Sequence, residues 1–116
     1  MKTVVFSIQS LEASLADFSG AWKGGAADGA AHIGFASWEL MHKVLSPKRL
    51  EIVRTLTGAG PLGIREVARR VGRDFKGVHS DIALLIEAGV IDKDGNGKVV
   101  FPYERIRVDF EIRAAA

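Results

Sequence analysis

Apolar residues in this chain fall into short periodic blocks, and the period changes from one block to the next. Val4, Phe6 and Ile8 stand at every second position, the period of a short strand. Leu11, Leu15 and Phe18 then recur at helical spacing behind Ser10, a residue suited to cap a helix start. From Ser19 to Ala30 the pattern dissolves into small residues with Gly20, Gly24, Gly25 and Gly29, and this stretch reads as a mobile linker. Ile33 and Phe35 suggest a brief strand, and Ser37 caps a helix carrying Trp38, Leu40 and Met41. Ser46-Pro47 opens another helix, because proline at the first helical position loses no N–H that the helix would use. Leu50, Val53, Leu56 and Thr57 share one side of it, Lys48, Arg49 and Arg54 lie mostly off that side, and Gly58 to Pro61 ends it.

The following segment is the most regular. Ile64, Val67, Ala68 and Val71 mark a helix over 64–71, with Gly63 at its N-cap and Glu66 three residues on, the spacing of a capping box. Gly72 permits a turn through positive φ. A longer helix runs from Asp74 or Phe75 to Ala88, its apolar set Phe75, Val78, Ile82, Leu85 and Ile86 confined to about a third of the wheel, and Gly89 stops it. Val90-Ile91 and Lys98 to Phe101 bracket the polar residues 92–97 as a hairpin. Residues 105–113 alternate, with Ile106, Val108, Phe110 and Ile112 facing one way and Arg107, Asp109 and Glu111 the other, which predicts a half-buried strand. The expected fold is α+β: a winged helix-turn-helix with an additional N-terminal strand–helix and a C-terminal β-strand. Residues 1–30 read as an arm of strand, helix and Gly-rich linker, 31–113 as the winged-helix domain, and 114–116 as a disordered tail.

Charge sharpens this picture. The net charge is only +2, yet residues 43–80 hold nine Lys or Arg against three Asp or Glu, while each flank is net acidic. A basic middle suggests a polyanion-binding surface. In a helix-turn-helix, spanning 63–88 here, the second helix packs by its inner face and offers the outer face of its first turns to the major groove. The outward positions there are Lys76, Gly77 and Ser80, with His79 on the flank, as a partly buried packing residue or as a phosphate contact. Arg69 and Arg70 close the preceding helix, Arg73 stands at the entrance of the second, and Lys48 and Arg49 start the helix before them. Lys93 and Lys98, on the hairpin, suit phosphates, and Gly77 leaves room for close approach to a duplex. Asp81, acidic on the same helix, suits pairing with a nearby arginine.

The runs Leu45-Ser46-Pro47-Lys48-Arg49-Leu50, Gly60 to Asp74 and Val78-His79-Ser80-Asp81 resemble small bacterial and archaeal winged-helix regulators, distantly similar to the multiple-antibiotic-resistance repressors. The resemblance covers roughly residues 33–112 and includes the ending from Phe101-Pro102-Tyr103 to Phe110. Gly77 and Ser80 are small where relatives tend to carry larger polar or basic residues. Because such regulators are often encoded beside a small toxin, the resemblance implies the antitoxin of a type II toxin–antitoxin pair, one that represses its own promoter. Double-stranded DNA and a small toxin protein are then the expected partners.

Other chemistries have little material. No cysteine is present, which excludes disulfides and thiolate sites and fits a cytoplasmic protein, and no apolar run approaches the length of a membrane span. Residues 92–97 copy the first half of a calcium loop, but Tyr103 stands where the twelfth-position acid is needed. His32, His42 and His79 share no metal-ligand spacing, and no acid, base or nucleophile constellation is evident, so no metal, no cofactor and no catalysis are expected. Trp22, in the acidic N-terminal third, is the candidate anchor for the toxin. Specific affinity usually comes from two-fold pairing, and the strands at 3–8 and 105–113 are expected to help build a homodimer. The rival reading is a protein-interaction module that neutralises a partner without touching DNA.

Overall fold

A computed structural model describes residues 2–8, 21–25, 30–112 and 114, with 21–25 described as backbone. The expected helix behind Ser10 lies outside the described residues, as does the tail beyond Ala114. The chain is a mixed α/β fold, in agreement with the expected α+β class. Among the described residues three strands come first, β1 (Thr3–Ile8), β2 (Ala21–Gly25) and β3 (Ala31–Phe35). Four helices follow, α1 (Trp38–Val44), α2 (Pro47–Leu56), α3 (Ile64–Val71) and α4 (Phe75–Glu87). The short hairpin β4 (Asp92–Lys93) and β5 (Val99–Val100) leads to β6 (Arg105–Asp109). No described helix is long and apolar enough to cross a membrane.

The sheet corrects the sequence reading most. Its order is β2-β3-β1-β6, with β1 parallel to both β3 and β6 and β2 antiparallel to β3. The stretch expected to be a linker therefore contributes an edge strand, with Trp22 opposite Gly34 and Gly24 opposite His32. Strand propensity is low at Gly24-Gly25, and it is pairing with β3 that makes this segment extended. The boundary drawn between residues 30 and 31 falls inside this sheet. Nor does β1 offer an edge to a second copy, since strands of its own chain flank it on both sides.

One face of the sheet closes the helical core. Val4, Phe6, Ile33 and Phe35 are buried in the same cluster as Val53 and Leu56 of α2, Val67 of α3 and Val78, Ile82 and Leu85 of α4. Phe6 meets Phe35 and Phe101 edge-on, with centroids 6.2 and 6.1 Å away, an arrangement that suits the aromatic quadrupoles. Val90 and Ile91 were expected to pair in the hairpin. They are instead buried after α4, and the strand pairing begins at Asp92.

Helix ends follow local chemistry. Ser37 Oγ accepts from Leu40 N at 3.1 Å, and Asp74 caps α4 by accepting from Gly77 N at 2.9 Å. Ser46 precedes Pro47 as expected but makes no side-chain cap. Gly72 turns the chain between α3 and α4 at φ 71°, a left-handed conformation that costs glycine nothing sterically.

β6 is where the strand reading and the structure part. It has the expected alternation, but among its apolar residues only Ile106 packs against the core. Val108 is 49% exposed, Phe110 43% and Ile112 86%.

Candidate nucleic-acid interface

The α3–α4 unit is set by an ion cluster between helices. Asp81 of α4 accepts a hydrogen bond from Arg49 of α2 (Nη1 to Oδ1, 3.1 Å) and forms an ion pair with Arg73 of the turn (Nη2–Oδ2, 2.8 Å). All three side chains are largely shielded, at 16% exposure for Asp81, 18% for Arg49 and 23% for Arg73. Arg49 also donates from Nε to the Val44 carbonyl at 2.8 Å and from Nη2 to the Lys43 carbonyl. It thus ties the end of α1 to α4. Asp81 plays the expected pairing role. Arg49 and Arg73, expected to face DNA, are largely shielded and engaged with Asp81.

Gly77 belongs to the same cluster. A Cβ there would stand 3.1 Å from Asp74 Oδ1 and 3.2 Å from Arg73 Nη2. The glycine makes room for the cap and for the Arg73 guanidinium, so close approach of a duplex is not needed to explain it.

The exposed surface lies on the first turns of α4. Lys76, His79 and Ser80 are all exposed there. His79 is not partly buried; its ring lies 5.6 Å from that of Phe75. Phe75, expected in the inward stripe, is exposed and carries Arg65 over its face at 4.3 Å. Arg65 therefore joins this surface, although its place on α3 gave no such signal; the clue available was an aromatic at the first position of α4. Lys48 is exposed at the start of α2, and with Ser46 and Ser80 it borders an open groove of about 590 Å³ beside the Arg49–Asp81–Arg73 cluster.

Arg69 and Arg70 sit further along α3 and share one carboxylate. Arg69 Nε donates to Glu66 Oε1 at 2.8 Å and Arg70 Nε to Oε2 at 2.7 Å. Glu66 thus turns toward the two arginines rather than back to Gly63, and the capping box is not formed. Hydrogen bonds from Arg69 and then from Arg70 hold the Glu66 carboxyl down to about 2 from its ordinary 4.5. A depressed folded-state value stabilises above the unfolded value and is lost as pH falls through the folded one. The thermal midpoint of the wild type should therefore fall more steeply than that of Glu66→Gln between pH 4.5 and 2. Parallel curves would mean that the cluster does not hold in solution.

Lys98 is exposed at the end of the hairpin turn. Asp94 Oδ1 fixes that turn by accepting from Asn96 N at 2.8 Å and Lys98 N at 2.9 Å. The resemblance to half a calcium loop thus has a structural reason in the turn itself. The hairpin is tied to the chain before α3 by reciprocal backbone bonds between Leu62 and Val99, at 2.9 and 2.8 Å. Trp22 lies on β2, at the sheet edge remote from β6 in strand order.

Both ion clusters pair two arginines with one acid, so each retains one unit of positive charge. Together with Arg65, Lys76 and Lys48 they leave the α2–α3–α4 unit cationic despite its salt bridges. Such a surface can attract a polyanion over about a Debye length.

A family model, HVO_A0114, matches residues 44–108, more than half of the chain. The matched span takes in α2, α3, α4, the hairpin and most of β6. No curated protein and no solved structure matches.

Proposed function

The chain belongs to the HVO_A0114 family, and from the exposed cationic face within the matched span we propose that it is a winged-helix regulator that binds specific DNA sequences. The observation that carries this reading is the outer face of α4, where Lys76, His79 and Ser80 are exposed on the first turns of a helix whose inner face is fixed in the core. In this reading α3 and α4 are the helix-turn-helix, α4 is the recognition helix, and the β4–β5 hairpin is the wing. Lys76 reaches a base edge, Arg65, Lys48 and Lys98 meet phosphates, and the Arg49–Asp81–Arg73 cluster sets the angle of α4. We further propose that the protein is the antitoxin of a toxin–antitoxin pair, acts as a homodimer, and holds its toxin through the N-terminal third that includes Trp22.

Fluorescence anisotropy with a duplex from the gene's own promoter tests the DNA reading. Lys76→Ala should weaken specific binding by about 1–3 kcal/mol and relax discrimination at one base pair. Wild-type affinity should fall steeply between 50 and 200 mM salt, the behaviour of any protein that displaces condensed counterions from DNA. A folded Lys76→Ala protein that binds the promoter as tightly as the wild type would remove α4 from the interface. Coexpression with the product of the neighbouring open reading frame tests neutralisation separately.

A further inference from the structure

β6 has one strand neighbour, β1, and among the described residues no strand pairs with its other edge. An open edge is a template for another strand, and stable proteins seldom leave one flat and apolar. Here the apolar residues crowd beside it. Among the described residues the exposed large apolar side chains are Trp38, Phe75, Val108, Phe110 and Ile112; Val108 lies on β6, and Phe110 and Ile112 follow it directly in the chain. Trp38 of α1 stacks on Phe110 with centroids 4.9 Å apart, extending the strip across to the helices.

The charges decide what covers it. From Arg105 to Glu111 the sequence reads Arg-Ile-Arg-Val-Asp-Phe-Glu, so that inverting it about Val108 exchanges each basic position with an acidic one. We infer that two copies of this chain pair antiparallel through β6 about a two-fold axis at Val108. Arg107 then stands opposite Asp109 of the second copy, and Arg105 opposite Glu111. On the other face Ile106 stands opposite Phe110, and Val108 opposite its own counterpart. Directly opposed side chains are the interacting unit of a sheet, favourable for opposite charges and unfavourable for like ones.

No neighbouring register does this. Centring on Asp109 opposes two aspartates and sets Arg105 against Arg113, while centring on Arg107 opposes two arginines. A shift by one residue turns the apolar face of one strand against the charged face of the other. The remaining edge strand, β2, offers Lys23 and two glycines and no such pattern. Pairing would carry β6 on from Asp109 to Glu111 and join two four-stranded sheets into one. It would also cover Val108 and Phe110, whose alternation predicts burial that the single chain does not supply.

This inference deepens the homodimer of the proposed reading, and it is tested without DNA so that the two can fail separately. Sedimentation of the wild type at tens of micromolar should show a dimer. Arg107→Glu places two acids opposite each other and Asp109→Arg two bases, so each variant alone should dimerise at least tenfold more weakly. Mixing the two variants should restore a heterodimer, because each then supplies the charge the other needs. As the chain has no cysteine, Val108→Cys gives a single thiol whose counterpart sits within disulfide reach across the axis. Mild oxidation should link it, and should link Arg107→Cys or Asp109→Cys far less. A monomeric wild type overturns the proposal. So does a folded mixture that stays monomeric, or linkage strongest at a position other than 108. Loss of promoter binding with this dimer intact would count against the DNA reading alone.

Discussion

Phe6→Ala should destabilise the protein by about 3–5 kcal/mol, the usual loss when a buried aromatic is cut to a methyl group. For a domain of this length that lowers the thermal midpoint by about 12–20 °C. The size of the effect follows from position. Phe6 is fully buried, on a strand flanked on both sides, and its ring bridges Phe35 on β3 and Phe101 beyond the hairpin. Its removal opens a cavity where the sheet meets the helical unit, which close packing elsewhere cannot fill. Phe6→Leu keeps most of the volume and should lose far less, about 1–1.5 kcal/mol. Calorimetry separates this from the reading of residues 1–30 as a detachable arm. An arm would leave the midpoint unmoved, and the rest of the chain would stay folded without it. With β1 inside the core, removal of residues 1–30 should instead unfold the protein, so the proposed neutralisation is better mapped by point substitutions such as Trp22→Ala.

What the sequence made legible was local. Ser37, Gly63, Gly72, Asp74 and Gly89 mark helix ends because caps and left-handed turns depend on a few neighbouring atoms, and the helices begin and end at them. β2 escaped because nothing in Ala21–Gly25 is strand-like until β3 supplies its hydrogen bonds. β6 showed the converse: its alternation is correct, yet period alone does not say which surface buries the apolar face. The site divided in the same way. Lys76 and Ser80 face outward as the helical wheel requires. Arg49, polar and near a helix start, also reads as outward, but Asp81 lies thirty-two positions later and draws it inward. Gly77 looks like a concession to a ligand until the Arg73 guanidinium is seen against it. Pairings over such separations are set by tertiary structure, and no window of sequence contains them.

Asp81→Ala is expected to have the other large effect, because one carboxylate is the shared partner of two shielded guanidiniums. Removing one partner of a buried ion pair costs about 3–5 kcal/mol, and the residual exposure here reduces that to about 2–3 kcal/mol. The midpoint should fall by about 10 °C. Arg73 already has its Nη1 buried without a partner among the described residues, so losing the bond at Nη2 leaves it worse placed than Arg49, which keeps two carbonyls. Replacing all three residues with apolar ones of similar volume should recover much of the stability, since the loss comes from orphaned charge rather than from missing contact. If the single and triple variants are equally unstable, the cluster acts by packing alone. In the proposed reading, DNA affinity supplies the second readout, through its sign. Deleting an acid beside a polyanion strengthens attraction by Coulomb's law, so binding to unrelated duplexes should hold or rise. Binding to the promoter should fall, because Arg49 and Arg73 no longer fix the angle at which α4 presents Lys76. A narrowed ratio of specific to non-specific affinity, measured on folded protein below its midpoint, is the expected result. A promoter affinity that rises in step with the non-specific one would show that Asp81 contributes charge and no orientation.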